Sequence, residues 1–207
     1  MSNSRRWLSA IVFIFTVFML FGQTGGNIGK GTELFDAKKY REAEPVLREA
    51  VQESPESLQA HLLLGLTLLE LNKNAEALTS LKKAEELVSE SDKIQIGLAR
   101  AYINQKELTK AQAALDKAAS LSPGNSSVYY YRGILDGNRN QYEAATRNFE
   151  KALELDPKNA YAHYYAGVAY SNIKKPDKMV EHFQAFLKLA PEAPEAKKVQ
   201  SLLKVVR

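Results

Sequence analysis

The chain has 207 residues, a formal net charge of +4, 25% charged residues and no cysteine. That length holds one or two ordinary domains, and the composition suits a folded, water-facing body. The missing cysteine excludes disulfide frameworks, thiolate metal sites, cysteine nucleophiles and a lipid carried on cysteine.

The first 26 residues differ from the rest. Arg5 and Arg6 precede Trp7–Phe21, fifteen residues interrupted only by Ser9 and Thr16, and small residues follow in Gly22–Gly26. A basic start, an apolar core and a small-residue exit describe a secretory signal, with Thr24 and Gly26 before the cut and Asn27 as the new terminus. Fifteen residues span roughly 22 Å of helix, short of the ~30 Å hydrocarbon core. The rival reading is an uncleaved anchor, because the run is rich in phenylalanine. Either way the positive charge before the run places the body outside the cytoplasm, periplasmic, extracellular or tethered to the membrane through 7–21.

Beyond it, small residues recur every 34 positions: Gly31, Gly65, Ala99, Gly133 and Gly167. Four more columns keep the same step. One holds Ala43, Ala77, Ala111, Ala145 and Met179; another Leu47, Leu81, Leu115, Phe149 and Phe183. The others hold Ala50, Ala84, Ala118, Ala152 and Phe186, then Pro55, Ser89, Pro123, Pro157 and Pro191. Self-similarity at a fixed period marks a stacked array. In one cycle, residues 128–138 carry apolar groups at helical spacing, "GNRN" breaks the chain, and Tyr142–Leu155 is helical again. Asp156–Pro157 stops it, because a residue before proline is pushed out of the α region. The unit is thus two antiparallel helices whose backbones approach at the small columns, with a large residue filling the space between. Pro176 suits the first turn of its helix, where no amide donor is needed.

These columns resemble the tetratricopeptide repeat (TPR) over residues 24–193, with repeats at 24–57, 58–91, 92–125, 126–159 and 160–193. The resemblance implies an all-α, right-handed superhelical solenoid of five helix-turn-helix repeats. A signal or anchor helix (1–26) precedes the repeat region, and a capping helix (194–207) follows it, with an apolar stripe of Val199, Leu202, Leu203 and Val206. The first repeat departs most, with Asn27 and Lys30 where large apolar residues are expected. In the fourth, Asp136 replaces the usual tyrosine, and Arg132 one turn earlier is placed to pair with it. Met179 and Phe186 replace alanines and should shift the last hairpin outward.

In this family the first helices line a concave groove through the second, fifth, ninth and twelfth positions of each repeat. Carried over, these are Gln59, Leu62, Leu66 and Leu69; Lys93, Ile96, Arg100 and Ile103; Ser127, Tyr130, Ile134 and Gly137; and Tyr161, Tyr164, Val168 and Ser171. The binding set is Leu62, Leu66, Leu69, Lys93, Ile96, Arg100, Ile103, Tyr130, Ile134, Tyr161, Tyr164 and Val168, with Tyr131 and Tyr165 beside the tyrosines. This would explain "HLLLGLTLLEL" at 61–71, a helix with no polar face. An exposed apolar patch of this kind marks a binding surface, and its aliphatic residues are worth on the order of 10 kcal/mol gross. A protein or peptide is the expected partner. The alternatives are the chain's own amino-terminal segment, a second copy in a homodimer, or mere tolerance of surface leucines. Asn104, Asn138 and Asn172 recur at the period, as helix-end caps or as a ladder for an extended peptide. The co-chaperone carboxylate clamp is absent from any three consecutive repeats.

Nothing points to catalysis, a metal or a cofactor. His61 and His163 occupy a position where the family packs a large ring, and His182 beside Glu181 is expected on the outer surface. "GGNIGKGT" (25–32) fails as a phosphate loop: Thr24 stands where the first glycine is needed, and Gly31 where Ser or Thr must follow the lysine. Asn125-Ser126-Ser127 matches a glycosylation acceptor. Residues 27–91 hold eight basic and twelve acidic groups, and 92–207 hold eighteen and twelve. The second half favours an acidic partner or a membrane surface, but its charge is too dilute for nucleic acid. The sequence therefore describes a non-catalytic interaction scaffold. The alternative is a membrane-anchored assembly or secretion accessory factor, the same body with its leader retained.

Overall fold

The computed structural model describes residues 26–205, and among them every regular element is an α-helix. The hydrophobic run at 7–21 lies outside the described residues, as does Val206 of the last stripe. The chain divides into two compact units at Ser89/Glu90.

The first unit holds two hairpins, α1 (26–36) with α2 (Tyr40–Glu53), and α3 (Leu58–Glu70) with α4 (Asn74–Leu87). A Cβ added to Gly31 would lie 2.4 Å from Leu47 Cδ2, and one on Gly65 would lie 2.6 Å from Leu81 Cγ. The small and large columns therefore meet, and the backbones sit closer than any side chain on those glycines allows. Ions fasten one hairpin to the next: Glu44 accepts from Lys73 Nζ at 2.7 Å and from Arg48 Nη2 at 2.8 Å, and Arg48 also reaches Glu76. The Lys73 ammonium holds the Glu44 carboxyl below the usual carboxylate range, with Arg48 reinforcing it.

The second unit holds three hairpins and a final helix. The pairs are α5 (Asp92–Asn104) with α6 (Leu108–Leu121), α7 (Ser126–Asn138) with α8 (Tyr142–Leu155), and α9 (Ala160–Asn172) with α10 (Pro176–Leu189). Gly133 and Gly167 are pressed against Phe149 and Phe183, with added Cβ atoms 2.6 and 2.5 Å from the rings. Met179 and Phe186 are buried in the core that Phe149 and Phe183 share, and Pro176 opens α10. The last helix, α11 (Ala196–Val205), inserts Ala196 and Val199 into that core. Leu202 is 43% exposed, so the expected stripe packs through Val199 and turns Leu202 outward.

Two further columns fix where helices begin and end. Ser57, Ser91, Asn125 and Asn159 are the N-caps of α3, α5, α7 and α9, and each side chain accepts a backbone amide of the first turn. Lys38, Asn72, Lys106, Asn140 and Lys174 all have φ between 57° and 62°. They occupy the left-handed position of a Schellman turn: Lys38 N donates to Phe35 O at 2.9 Å and Lys39 N to Leu34 O at 2.8 Å, and the pattern repeats at the other four. The second helices end in a residue that leaves the helical region, with φ between −136° and −143°: Ser54, Ser122, Asp156 and Ala190 before prolines, and Val88 before Ser89. The hairpin stop therefore holds without its proline.

One expected pair does not form. Arg132 Nη2 donates to Asp116 Oδ1 at 2.7 Å, while Asp136 accepts from Asn148 Nδ2 at 2.8 Å. Asp116 on α6 and Asn148 on α8 are closer partners than the residue one turn along the same helix.

Candidate interaction surface

The predicted binding residues fall into two classes. In the first unit, Leu62 and Leu66 of α3 are half-buried, but Leu69 is 0% exposed and belongs to the core. In the second unit, Lys93 is exposed, Ile96 and Arg100 are half-buried, and Ile103, 5% exposed, is core. The twelfth position of α3 and α5 therefore packs inward instead of lining a groove.

Tyr130, Ile134, Tyr164 and Val168 are half-buried and Tyr161 is 38% exposed. The tyrosines engage one another and the core. Tyr130 meets Tyr131 at 4.9 Å and Tyr165 at 6.1 Å, Tyr165 stacks on Phe149 at 6.1 Å, and Tyr164 meets Phe186 at 5.2 Å. Such offset and edge-to-face pairs stabilise beyond area burial. Burial pushes the Tyr130 phenol far above its ordinary range. Burial also raises the Tyr161 phenol, with help from Glu195, to which its hydroxyl donates at 3.2 Å. The wall is thus half core, and Tyr161 is its accessible end.

A cleft of about 270 Å³ opens between α7, α8 and α9, lined by Ile134, Gly137, Asn138, Tyr142, Phe149, Tyr165, Val168 and Asn172, among others. It brings together Ile134 and Val168 of the predicted set. Tyr142 and Phe149 come from α8, a second helix, so a rule drawn from first helices alone misses them. Beside it, a smaller cleft of about 160 Å³ lies between α9 and α11, lined by Tyr164, Val168, Ser171, Lys198 and Leu202. Asn138 and Asn172 donate to the Ile134 and Val168 carbonyls at 2.8 and 2.9 Å. They close the last turns of α7 and α9, which is the capping role.

The histidines act as fasteners. His61 Nε2 faces the Pro55 carbonyl at 2.8 Å and His163 Nε2 the Pro157 carbonyl at 3.3 Å, and Tyr129 donates to the Pro123 carbonyl at 2.9 Å. The same repeat position thus ties α3, α7 and α9 to the turns before them. His182 contradicts the outer-surface expectation: it is 3% exposed, wedged between α8 and α9. Its Nε2 lies 3.0 Å from Glu150 Oε1 and its Nδ1 lies 3.1 Å from His163 Nδ1. The glycosylation motif is also committed, since Asn125 Nδ2 donates to Asp92 Oδ2 at 2.9 Å and Asn125 Oδ1 caps α7. Among the described residues no group of three or more His, Asp or Glu is set to hold a metal ion, and no helix is long and apolar enough to cross a membrane.

Hairpins repeated at one fixed period, each turned by a Schellman motif and four of them packed with a glycine against a leucine or ring, define a helical-repeat protein. Four family models match it: Tetratricopeptide repeat models at 28–92, 68–131 and 161–193, and a TPR repeat model at 138–173. The chain is a tetratricopeptide-repeat protein. Among solved structures it is similar to the thermophilic TPR protein TTC0263 of Thermus thermophilus (19% identity, 87% of this chain and 98% of that one, TM-score 0.76). It is also similar to MamA of Desulfovibrio magneticus RS-1 (18%, 83% and 97%, TM-score 0.64). A third is YrrB, described as a TPR protein with an unusual peptide-binding site (19%, 84% and 90%, TM-score 0.58). The comparison with curated proteins gives no match.

Proposed function

We propose that the chain is a non-catalytic scaffold that holds a protein or peptide segment on the face built by its first helices. The observation that carries this is the apolar cleft of about 270 Å³ between α7, α8 and α9. Its floor is rigid, since Phe149 is 2% exposed and Tyr165 stacks upon it. Half-buried Ile134 and Val168 form its rim, and Tyr161 and Tyr164 extend the same face along α9. A cleft of this size takes one large apolar side chain of an incoming segment, and the flanking tyrosines add amphipathic contact. Leu62 and Leu66 give the first unit a separate half-buried apolar strip. The fold likeness to YrrB supports the reading at the level of the class.

The test replaces Val168 with Asp and compares both proteins as baits in the native host. Val168 sits in the cleft rim, so the variant should retain helical content and lose its captured partner. Identical captured sets from the two baits rule the cleft out as the binding site.

We place the body outside the cytoplasm, because Arg5 and Arg6 precede the hydrophobic run at 7–21. The phenylalanine content of that run also favours a second reading, a membrane-anchored assembly or secretion accessory factor. Amino-terminal sequencing of the protein from its host separates the two: a start at Asn27 means a cleaved leader, a start at Met1 an anchor.

A further inference from the structure

Four ring nitrogens of His163 and His182 make three short contacts. His163 Nε2 faces the Pro157 carbonyl at 3.3 Å, His163 Nδ1 faces His182 Nδ1 at 3.1 Å, and His182 Nε2 faces Glu150 Oε1 at 3.0 Å. A carbonyl and a carboxylate only accept, so each Nε2 must carry hydrogen to bond. Two neutral imidazoles own two N–H groups, which leaves none for the contact between the Nδ1 atoms. One extra proton supplies it, and all three contacts become hydrogen bonds. A second extra proton puts N–H on both Nδ1 atoms, donor against donor and cation against cation.

We propose that the His163–His182 pair is an acid-sensitive latch: it fastens α9 and α10 onto α8 while it carries at most one extra proton, and lets go when it takes a second. The elements are placed for this. Glu150 belongs to α8 and also accepts from Tyr170 Oη of α9 at 2.8 Å, so one carboxylate grips α9 and α10 together. The Tyr170 ring stacks on His182 at 5.3 Å, and closes the site. The charged groups facing the pair are Glu150 from α8 and Glu181 from α10, and Glu181 is exposed and engaged by Lys178 at 2.8 Å. Glu150, whose side chain is 40% exposed, is the one carboxylate bonded to the pair, and a single carboxylate balances one imidazolium but not two.

Burial lowers the His163 pKa, and the neighbouring His182 lowers it further against the opposing pull of the Pro157 carbonyl. A histidine depressed in the folded state contributes stability that is present above the ordinary value of about 6.5 and is lost as pH falls below it. Acid therefore loosens this seam. The α8 and α9 helices also wall the cleft proposed to hold the partner. Only the consequence for a partner rests on that reading, since the latch itself works in the free chain.

The experiment follows the imidazole resonances of the full chain from pH 8 to pH 5, with no partner present. Amide exchange in α9 and α10, corrected for its intrinsic pH dependence, is read in parallel. The expected result is a coupled titration whose last step lies below that of a free histidine. Exchange protection in α9 and α10 should fall by up to about tenfold for each pH unit between the ordinary histidine value and that step, and level off below it. His163→Gln keeps a side chain able to hydrogen-bond His182 but cannot take the second proton, and should abolish the acid-induced loss. Two imidazoles that titrate independently near the ordinary value overturn the latch, and so does an unchanged acid response in H163Q. The wild-type titration decides the matter alone if the variant does not fold.

Discussion

Gly133 and Phe149 compete for one space: a Cβ on Gly133 would sit 2.6 Å from Cε1 of the buried Phe149 ring. The relation is sixteen residues apart in sequence and recurs at Gly31 with Leu47, Gly65 with Leu81 and Gly167 with Phe183. It sets how closely the two helices of a hairpin approach. Everything stacked on the hairpin inherits that distance.

Gly133→Ala should therefore destabilise the protein by about 1–3 kcal/mol, because the ring cannot retreat from a packed core. Gly29 is the control. It is also helical, but nothing lies within 4 Å of its added Cβ, so Gly29→Ala should gain about 0.5–1 kcal/mol from backbone entropy. Thermal or urea melts of the two variants should move in opposite directions.

The cap column gives a second expectation. Asn159→Ala removes the acceptor for Ala162 N and should cost about 1 kcal/mol. Asn125→Ala should cost more, because Asn125 also donates to Asp92 across the hairpin. That bond is the main reason the Asp92 carboxyl titrates below its ordinary value. A depressed carboxylate contributes stability above its unfolded value of about 3.9, lost as pH falls through the folded one. Between pH 6 and pH 3, the stability difference between wild type and Asn125→Ala should shrink toward the capping contribution alone. A difference that stays constant across that range would separate Asp92 from Asn125.

The left-handed column gives the third. Lys174 has φ of 57° in a Schellman turn, where a side chain costs strain and glycine does not. Lys174→Gly should raise stability by about 0.5–1 kcal/mol net of the glycine's greater unfolded entropy. Lys174→Val, branched at Cβ, should lower it. Denaturation midpoints check both.

The period made the hairpins legible. Five in-phase columns say where small residues must face large ones, and a glycine opposite a leucine or ring needs no tertiary knowledge to read as close approach. The turn and cap columns were equally present, since Ser57, Ser91, Asn125 and Asn159 keep the same step. They passed unread because no side-chain size marks a cap. The candidate site was legible only in part. Ile134 and Val168 reached the cleft as the register implies, whereas Leu69 and Ile103 share that register's pattern and are buried.

The sequence by itself determined the repeat, its helix pairs and the identity of its packing columns, because these depend on spacing along one chain. The tertiary structure alone decided which apolar residues stay accessible and which polar ones find partners. Arg132 ignored Asp136 one turn away for Asp116 on the preceding helix, and His182 left the expected surface for a seat against Glu150 and His163. Helical periodicity ranks neighbours along one helix axis, while burial and pairing are set by distances between helices that no single-chain spacing encodes.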